Sequence, residues 1–464
     1  MFPLGVDLGT TFTGAALWRG GRAETVPLGQ HSHGSDLVPS VLYRAGDGTL
    51  LVGNTARFKG ATDPQRMAQR FKPYMGEDYP MLMGETGYPP HELTGHLLRW
   101  VLDTVSELEG ARPGHVVLTH PAEWEEHRRQ ALIDAASVAG LSDVGLLPEP
   151  IAAGTFYVSQ QRIVPVRPGA LIGIYDLGGG TFDATLVRKS RTGVEIEGEP
   201  AGDDRVGGIH FDDLLMEHVQ EIAGAAGRFD PDEPEAEADL LRLQADVIAA
   251  KEVLSTLQEA VVHVRLPGVS RDVEITRSGF EALIRPMIMD TIGMFTDVLD
   301  RAGVRPDQLD AVLLVGGSSR IPLVSRLLES ELGVSVRTDA HSKHVVSLGA
   351  AIAAAPRQTV SEPKAVIPVV RAPRPQGTPE QGPELTVITD LERTGLTTAT
   401  DTRVNVPVSS ITRHTPPDPR ESVTVRTGEG GGTGRGGLGV LAVVLLVLTV
   451  LVLIALFAFR GRAA

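Results

Sequence analysis

Apolar residues in this chain follow two periods. Leu4 to Leu8 and Ala15 to Trp18, and later Ala170 to Tyr175 and Ala184 to Val187, are compact apolar runs, each pair interrupted by a glycine-bearing turn. Strand pairs are therefore predicted over 3–18 and 170–199. Elsewhere apolar positions recur at intervals of three and four, as in Leu97, Leu98, Val101, Leu102 and Val105. That spacing puts them on one helical face and predicts helices over 91–109, 123–140, 149–159, 210–226, 237–257, 278–303 and 321–332. Strands and helices in this order predict an α/β body of two lobes, each a mixed sheet flanked by helices, with most periodic positions serving as core.

A third pattern lies at the far end. Leu438 to Phe459 carries no charge, and about 22 residues at ~1.5 Å each suffice to cross a ~30 Å hydrocarbon core. A single transmembrane helix is expected over 438–459, followed by a short tail, 460–464. Between the body, 1–356, and this span lies a spacer, 357–437, that opens with Pro363, Pro368, Pro373, Pro375, Pro379 and Pro383 and closes with the glycines from Gly430 to Gly437. Such composition predicts a largely disordered tether with a reach of roughly 50 Å. The first strand begins almost at Met1 and no leader pattern precedes it. The body is thus expected in the cytoplasm, at the cell membrane, against a mild counter-signal from Arg460 and Arg462.

Composition narrows the chemistry. The 464 residues, 42% of them hydrophobic, can build a large core, and a net charge of −15 argues against nucleic acid as partner. There is no cysteine, which excludes thiol catalysis, disulfides and cysteine zinc sites. The 13 histidines show no metal-ligand spacing.

The candidate chemistry sits in the two turns, Gly5-Val6-Asp7-Leu8-Gly9-Thr10-Thr11 and Asp176-Leu177-Gly178-Gly179-Gly180-Thr181-Phe182-Asp183. A strand, a glycine turn and a second strand form a hairpin whose tip exposes backbone N–H groups to an anion. Glycine there permits positive φ and lets phosphate approach the backbone. Asp7, Asp176 and Asp183 would repel phosphate, so their expected work is to hold a cation or its waters, and Mg²⁺ suits carboxylates that leave waters in place. Two such turns suggest a duplicated domain closing on one nucleotide from both sides. No Gly-Lys-Ser/Thr run opens a helix, as a Walker loop needs, and the glycines do not lead from strand to helix as in a Rossmann site.

With Val312-Leu313-Leu314-Val315-Gly316-Gly317-Ser318-Ser319-Arg320-Ile321-Pro322 and Ser347-Leu348-Gly349-Ala350-Ala351 following in order, the chain resembles the ATPase domain of the DnaK (seventy-kilodalton heat-shock) chaperones over roughly residues 3 to 356. The resemblance implies an actin-like fold of two ribonuclease-H-like domains, ATP or ADP with Mg²⁺ in the cleft, and slow ATP hydrolysis. It implies phosphate contacts from Gly9, Thr10, Thr11, Gly178, Gly179, Gly180 and Thr181, with Gly207 and Gly208 in a further turn. Lys251, Ser255, Gly316, Gly317, Ser318 and Arg320 would take the adenosine side. Asp63-Pro64-Gln65 with Phe71-Lys72 resembles the segment bearing the catalytic lysine, so Lys72 would touch the terminal phosphate and orient the attacking water. Glu149 would hold metal-bound water, Asp7 and Asp176 the metal through water, and Thr181 and Asp176 would complete the catalytic set. Pro121 and Arg129 match the family's switch proline and relay arginine, which couple nucleotide state to lobe rotation.

The departures matter as much. Where the family stacks an arginine on adenine this chain has Glu252, and Ile248 stands where a ribose-contacting glutamate is usual; losing the arginine predicts nucleotide binding about tenfold weaker. His341-Ser342-Lys343-His344 replaces Asn-Pro-Asp-Glu, and His210 replaces an aspartate, where a surface or locally hydrogen-bonded histidine is the simpler reading. Pro73 follows Lys72 where the family has another residue, and the stretch between Lys72 and Pro121 is shortened. No counterpart of the family's peptide-binding sandwich and lid is expected in the stretch after 356, so the nucleotide state would be read by an unidentified protein partner, a co-chaperone or exchange factor. Val366 to Val370 is a candidate to dock on the ATPase body as the family's interdomain linker does. Two other readings compete with the chaperone-like ATPase: an actin-like membrane filament or scaffold, and a pseudo-ATPase, the latter motivated by Glu252, Ile248 and Lys343.

Overall fold

The structure is a computed structural model that describes residues 1–29, 36–160, 166–227, 234–338, 342–356 and 369–371. The expected transmembrane span and nearly all of the spacer lie outside these residues. Among the described residues no helix is long and apolar enough to cross a membrane.

The first lobe is built on a seven-stranded sheet. Its order is Val369–Arg371, Asp143–Pro148, His115–His120, Pro3–Leu8, Phe12–Arg19 and Arg22–Thr25, with Leu37–Pro39 also pairing to Phe12–Arg19. The first predicted hairpin is here, Leu4 opposite Leu17 and Asp7 opposite Gly14. The sheet carries a three-stranded satellite from Val41–Arg44, Leu50–Val52 and Met67–Gln69. Helices α1 (Gly53–Gly60), α2 (Pro90–Glu109) and α3 (Glu126–Val138) belong to this lobe. α2 buries Leu97, Leu98, Val101, Leu102 and Val105, the periodic face read from sequence, together with Leu93, against Leu4, Val6, Val116 and Leu132. It stops at Gly110, held at φ 66°, a left-handed cap that glycine adopts without strain. α3 starts three residues later than predicted, because Ala122–Trp124 turns after Pro121 and Trp124 N donates to Pro121 O.

α4 (Glu149–Ser159) follows at once on the strand Asp143–Pro148. The second lobe then repeats the hairpin theme in a five-stranded sheet ordered Val194–Asp203, Phe182–Lys189, Leu171–Leu177, Ala311–Val315 and Val336–Thr338. Its flanking helices are α5 (Gly208–Ala223), α6 (Pro234–Leu254), α7 (Arg277–Arg301) and α8 (Pro322–Leu332). A separate two-stranded ribbon, Glu259–Leu266 with Val269–Thr276, joins α6 to α7. α5 begins at Gly208, two residues before the predicted start, and ends at Ala223 where Gly224 takes φ 71°.

The chain returns to the first lobe through α9 (Val345–Ala354). α4 and α9 pack on each other in a core shared by both sheets, with Ile151, Ala152, Leu348 and Ala351 meeting Val117 and Leu147 from one sheet and Ile172 and Leu313 from the other. The helices come so close that a Cβ on Gly349 would stand 1.9 Å from Ala152 O, which admits only glycine. Among the described residues this layer is an apolar core that both sheets share.

Beyond α9, Val369–Arg371 adds an antiparallel strand to the free edge of Asp143–Pro148, Gly145 opposite Val369 and Asp143 opposite Arg371. Part of the expected docking segment therefore does sit on the body, by main-chain pairing. Val366, Ile367 and Pro368 lie outside the described residues.

Candidate functional site

Both hairpins aim their tips at the same place. A Cβ on Gly179 would stand 2.0 Å from Thr11 Oγ1, and one on Gly180 would stand 2.7 Å from Thr10 Cγ2. The two glycine turns thus abut across the cleft. The Thr11 hydroxyl oxygen is enclosed with no hydrogen-bond partner, a polar atom presented to the cleft at the cost of desolvation. Gly178 N donates to Thr181 O, closing the second turn. Gly207 and Gly208 lie directly on this turn, Gly208 N donating to Gly178 O at 3.1 Å and Ile209 N to Gly179 O at 2.7 Å.

The acidic residues gather beneath the turns. Asp176 and Asp183 face each other across the second hairpin, an arrangement of like charges that destabilises a strand pair unless something neutralises it. Burial pushes the Asp176 carboxyl up to about 8, with Glu149 and Asp7 adding to the rise and Lys72 opposing it. Asp183 is raised well above the usual range, again by burial first and then by Glu149 and Asp176. Asp7 is raised to about 6 by burial and Glu149, and accepts a hydrogen bond from Thr119 Oγ1 at 3.2 Å.

Lys72 reaches this group from a short turn after the strand Met67–Gln69. Its Nζ donates to Glu149 Oε1 at 2.7 Å, with side chains only 12% and 9% exposed. Burial alone would lower the Lys72 ammonium, but the carboxylates of Glu149, Asp7 and Asp183 outweigh it and hold the group raised. Glu149 opens α4, so its charge also meets the positive end of the helix dipole. Four carboxylates and one lysine leave the cluster short of positive charge. Among the described residues no three His, Asp or Glu side chains converge to ligate an ion directly. Beside Lys72 lies a cavity of about 10 Å³ bordered by Gly9 and Thr119, about the room one water needs.

Further out, Lys251 Nζ donates to Gly208 O at 2.7 Å and pairs with Asp212 Oδ1 at 2.8 Å. Ser318 joins them, since a Cβ on Gly208 would stand 2.5 Å from Ser318 Oγ and 3.1 Å from Lys251 Nζ. Gly316 takes φ 81° beneath Leu177 O and Asp176 Oδ1, so the third glycine turn is pressed against the second. Gly317 precedes a single turn, Ser318–Arg320, in which Ser319 Oγ donates to Gly316 O and Arg320 is exposed. Ser255 is half-buried just past the end of α6, and its N–H donates to Glu252 O.

Pro121 and Arg129 are linked through Trp124: Arg129 donates to Trp124 O at 2.6 Å, and Trp124 N donates to Pro121 O at 3.3 Å. Next to Pro121 the structure adds a residue that sequence reading missed. His120 is buried, bonded through Nδ1 to Pro121 O and stacked on Trp124, and burial lowers its pKa. The contacts of Thr119 with Asp7 and of Asp212 with Lys251 are likewise additions of the structure, because nothing in the local sequence marks them. His210 keeps an enclosed Nδ1 without a hydrogen-bond partner.

Comparison with known proteins gives the same outline. The family model described as Hsp70 protein matches residues 3–367. A chaperone protein HscA from Pectobacterium carotovorum is 34% identical, over 76% of this chain and 57% of its own length. One from Klebsiella pneumoniae is 35% identical, and a chaperone protein DnaK from Thermotoga petrophila is 31% identical, over 76% of this chain and 59% of its own. The chain thus spans less than two thirds of these relatives. Its paired glycine hairpins, the helix pair between two sheets and a family match running from the first strand to residue 367 agree: the chain belongs to the Hsp70 family.

Proposed function

We propose that this chain binds ATP with Mg²⁺ between its lobes and hydrolyses it slowly, as a nucleotide-driven conformational switch of the chaperone type. The observation that carries the reading is the Lys72–Glu149 ion pair, buried where the two Asp-bearing glycine turns meet. Backbone N–H groups of the turns, with Thr10, Thr11 and Thr181, would bind phosphate oxygens. Mg²⁺, when bound, would neutralise charge on those oxygens, and Asp7, Asp176 and Asp183 are the residues to hold its waters. Glu149 fixes the Lys72 ammonium, which would orient the attacking water and meet the charge that develops on the terminal phosphate. Closure would then pass to Pro121, through Trp124 to Arg129, and to the α4–α9 layer.

The switch would be read by a partner protein, a co-chaperone or exchange factor. The apolar run Leu438 to Phe459 supports a membrane anchor, with the ATPase body in the cytoplasm. Carbonate extraction of cell membranes tests the anchor, and release of the chain into the soluble fraction would sink it. Single-turnover hydrolysis by the purified chain, beside Lys72→Ala, tests the chemistry. Binding retained with hydrolysis lost in the variant supports it. Folded protein that ignores millimolar ATP would leave a scaffold, and ATP-dependent sedimentation would point to a filament.

A further inference from the structure

Two departures of the sequence, Glu252 and Lys343, meet where a bound nucleoside would end. The phosphate turns lie at the inner end of the cleft, and the next polar groups outward are Lys251 and Ser318, gathered on Gly208. Glu252 follows Lys251 on α6, and the Lys343 stem covers Gly317, the neighbour of Ser318: a Cβ on Gly317 would stand 3.4 Å from Lys343 Cε. A nucleoside leading out from the phosphates past Lys251 and Ser318 therefore brings its base to Glu252 and Lys343. Ile248 stands one helical turn before Glu252 on the same face of α6, 36% exposed, an apolar surface for the plane of a base.

The polar groups there have a definite hydrogen-bonding sense. A carboxylate only accepts and an ammonium only donates. Lys343 Nζ lies 3.6 Å from Glu252 Oε1, an ion contact too long to be a hydrogen bond, so Lys343 steadies the carboxylate and leaves its lone pairs for a ligand. Glu252 also raises the Arg57 guanidinium of the first lobe against the fall that burial causes, which puts its charge on the cleft side of α6. Adenine offers a carboxylate one donor, the 6-amino group, set among acceptor nitrogens. Guanine offers two adjacent donors, N1–H and the 2-amino group, spaced for the two oxygens of a carboxylate, and its O6, next to N1, is an acceptor for an ammonium.

We infer that the outer end of the cleft takes guanine nucleotides as well as, and more tightly than, adenine ones, with Glu252 on the N1–H and 2-amino edge of the base and Lys343 on its O6. The order of the two side chains along the wall matches the order of those groups around the ring. Lys343 and Glu252 are 29% and 58% exposed, so the selection is modest and is read as a ratio of affinities. The inference deepens the reading that the cleft takes nucleotide, and rests on it.

The test is displacement of N-methylanthraniloyl-ADP from the full chain, with Mg²⁺, by unlabelled ADP, inosine diphosphate and GDP. GDP should bind about fivefold more tightly than ADP, the scale of one hydrogen bond to a partly exposed carboxylate. Inosine diphosphate, which has N1–H but no 2-amino group, should fall between them. Glu252→Gln should bring GDP and ADP to within about twofold of each other, and melting curves show that the variant is folded. ADP binding as tightly as GDP in the parent, or a GDP preference that survives Glu252→Gln in folded protein, overturns the base assignment alone. Folded parent that binds neither labelled ADP nor, by calorimetry, GDP overturns the nucleotide reading and the base assignment with it.

Discussion

The two ends of the cleft are built on different principles. At the inner end, turns abut so closely that a single methyl group has no room, carboxylates oppose each other across one hairpin, and a lysine is buried against a glutamate. At the outer end, half-exposed side chains meet over an aromatic ring. The inner end is over-determined by sterics and desolvation, while the outer end is held by contacts worth about 1 kcal/mol each, which can be exchanged as a set. Departures from the family pattern fall mainly at the outer end. The difference teaches that Glu252 and Lys343 are better understood as a rebuilt wall than as two separate losses.

The hardest break of this contrast is Lys72→Ala. It leaves Glu149 buried without its partner and removes the cation from the reacting end, so single-turnover hydrolysis should fall by about 10² to 10³ while nucleotide still binds. Quench-flow measurement at saturating ATP checks it, and hydrolysis within tenfold of the parent would remove Lys72 from the chemistry.

Next is Gly179→Ala. The new methyl would overlap Thr11 Oγ1 across the cleft, holding the turns apart, and nucleotide affinity should drop about tenfold or more. Titration of labelled ADP decides this. By contrast, Glu252→Gln, which keeps the shape of the outer wall, should change affinity less than about threefold.

The inner end also predicts a pH dependence. Asp7 and Asp176 are raised to about 6 and about 8, so without a cation their protonated forms favour the folded state. That contribution is full below the ordinary carboxylate range and is lost as pH rises through 6 and then 8. Mg²⁺, if held there, would restore what the lost protons supplied. Its effect on the melting temperature, and its affinity, should therefore grow between pH 5.5 and 8.5, affinity rising about tenfold per pH unit for each proton displaced. Calorimetric Mg²⁺ titration across that range, with a flat result, would deny the carboxylates this role.

Legibility followed the same division. The hairpins, Lys72, Glu149, the third glycine turn and the long amphipathic helices were readable, because each is marked by local chemistry or by period. α1 was not: Gly53–Gly60 has no apolar repeat, and its helix is held by the neighbouring strands and by Ala56 in a small cluster with Val41 and Tyr43. α9 is marked in the sequence as a motif but not as a helix, since Val345–Ala354 is almost wholly apolar and shows no amphipathic face. The ties of Thr119 to Asp7 and of Lys343 to Glu252 join residues far apart in the chain, and no spacing rule reaches them.

The smallest effect sharpens the contrast most. Arg70 is the sole non-glycine among the described residues with positive φ, 58°, and it stands two residues before Lys72. A side chain in that conformation costs roughly 1–2 kcal/mol, and the Arg70 charge reaches Asp212 across the cleft, lowering a carboxyl that burial raises overall. Arg70→Gly removes the strain but adds freedom to the unfolded chain, about 0.4–1 kcal/mol in the other direction. The net should be a gain of roughly 0.5 kcal/mol in stability, read as a small upward shift of the denaturant midpoint with unchanged slope. A strain kept beside the buried Lys72, where glycine would relieve it, fits an inner end selected for position over stability. If Arg70→Gly instead lowers the midpoint by more than about 1 kcal/mol, the arginine is a structural anchor, and the inner end is held by its side chains as much as by its turns.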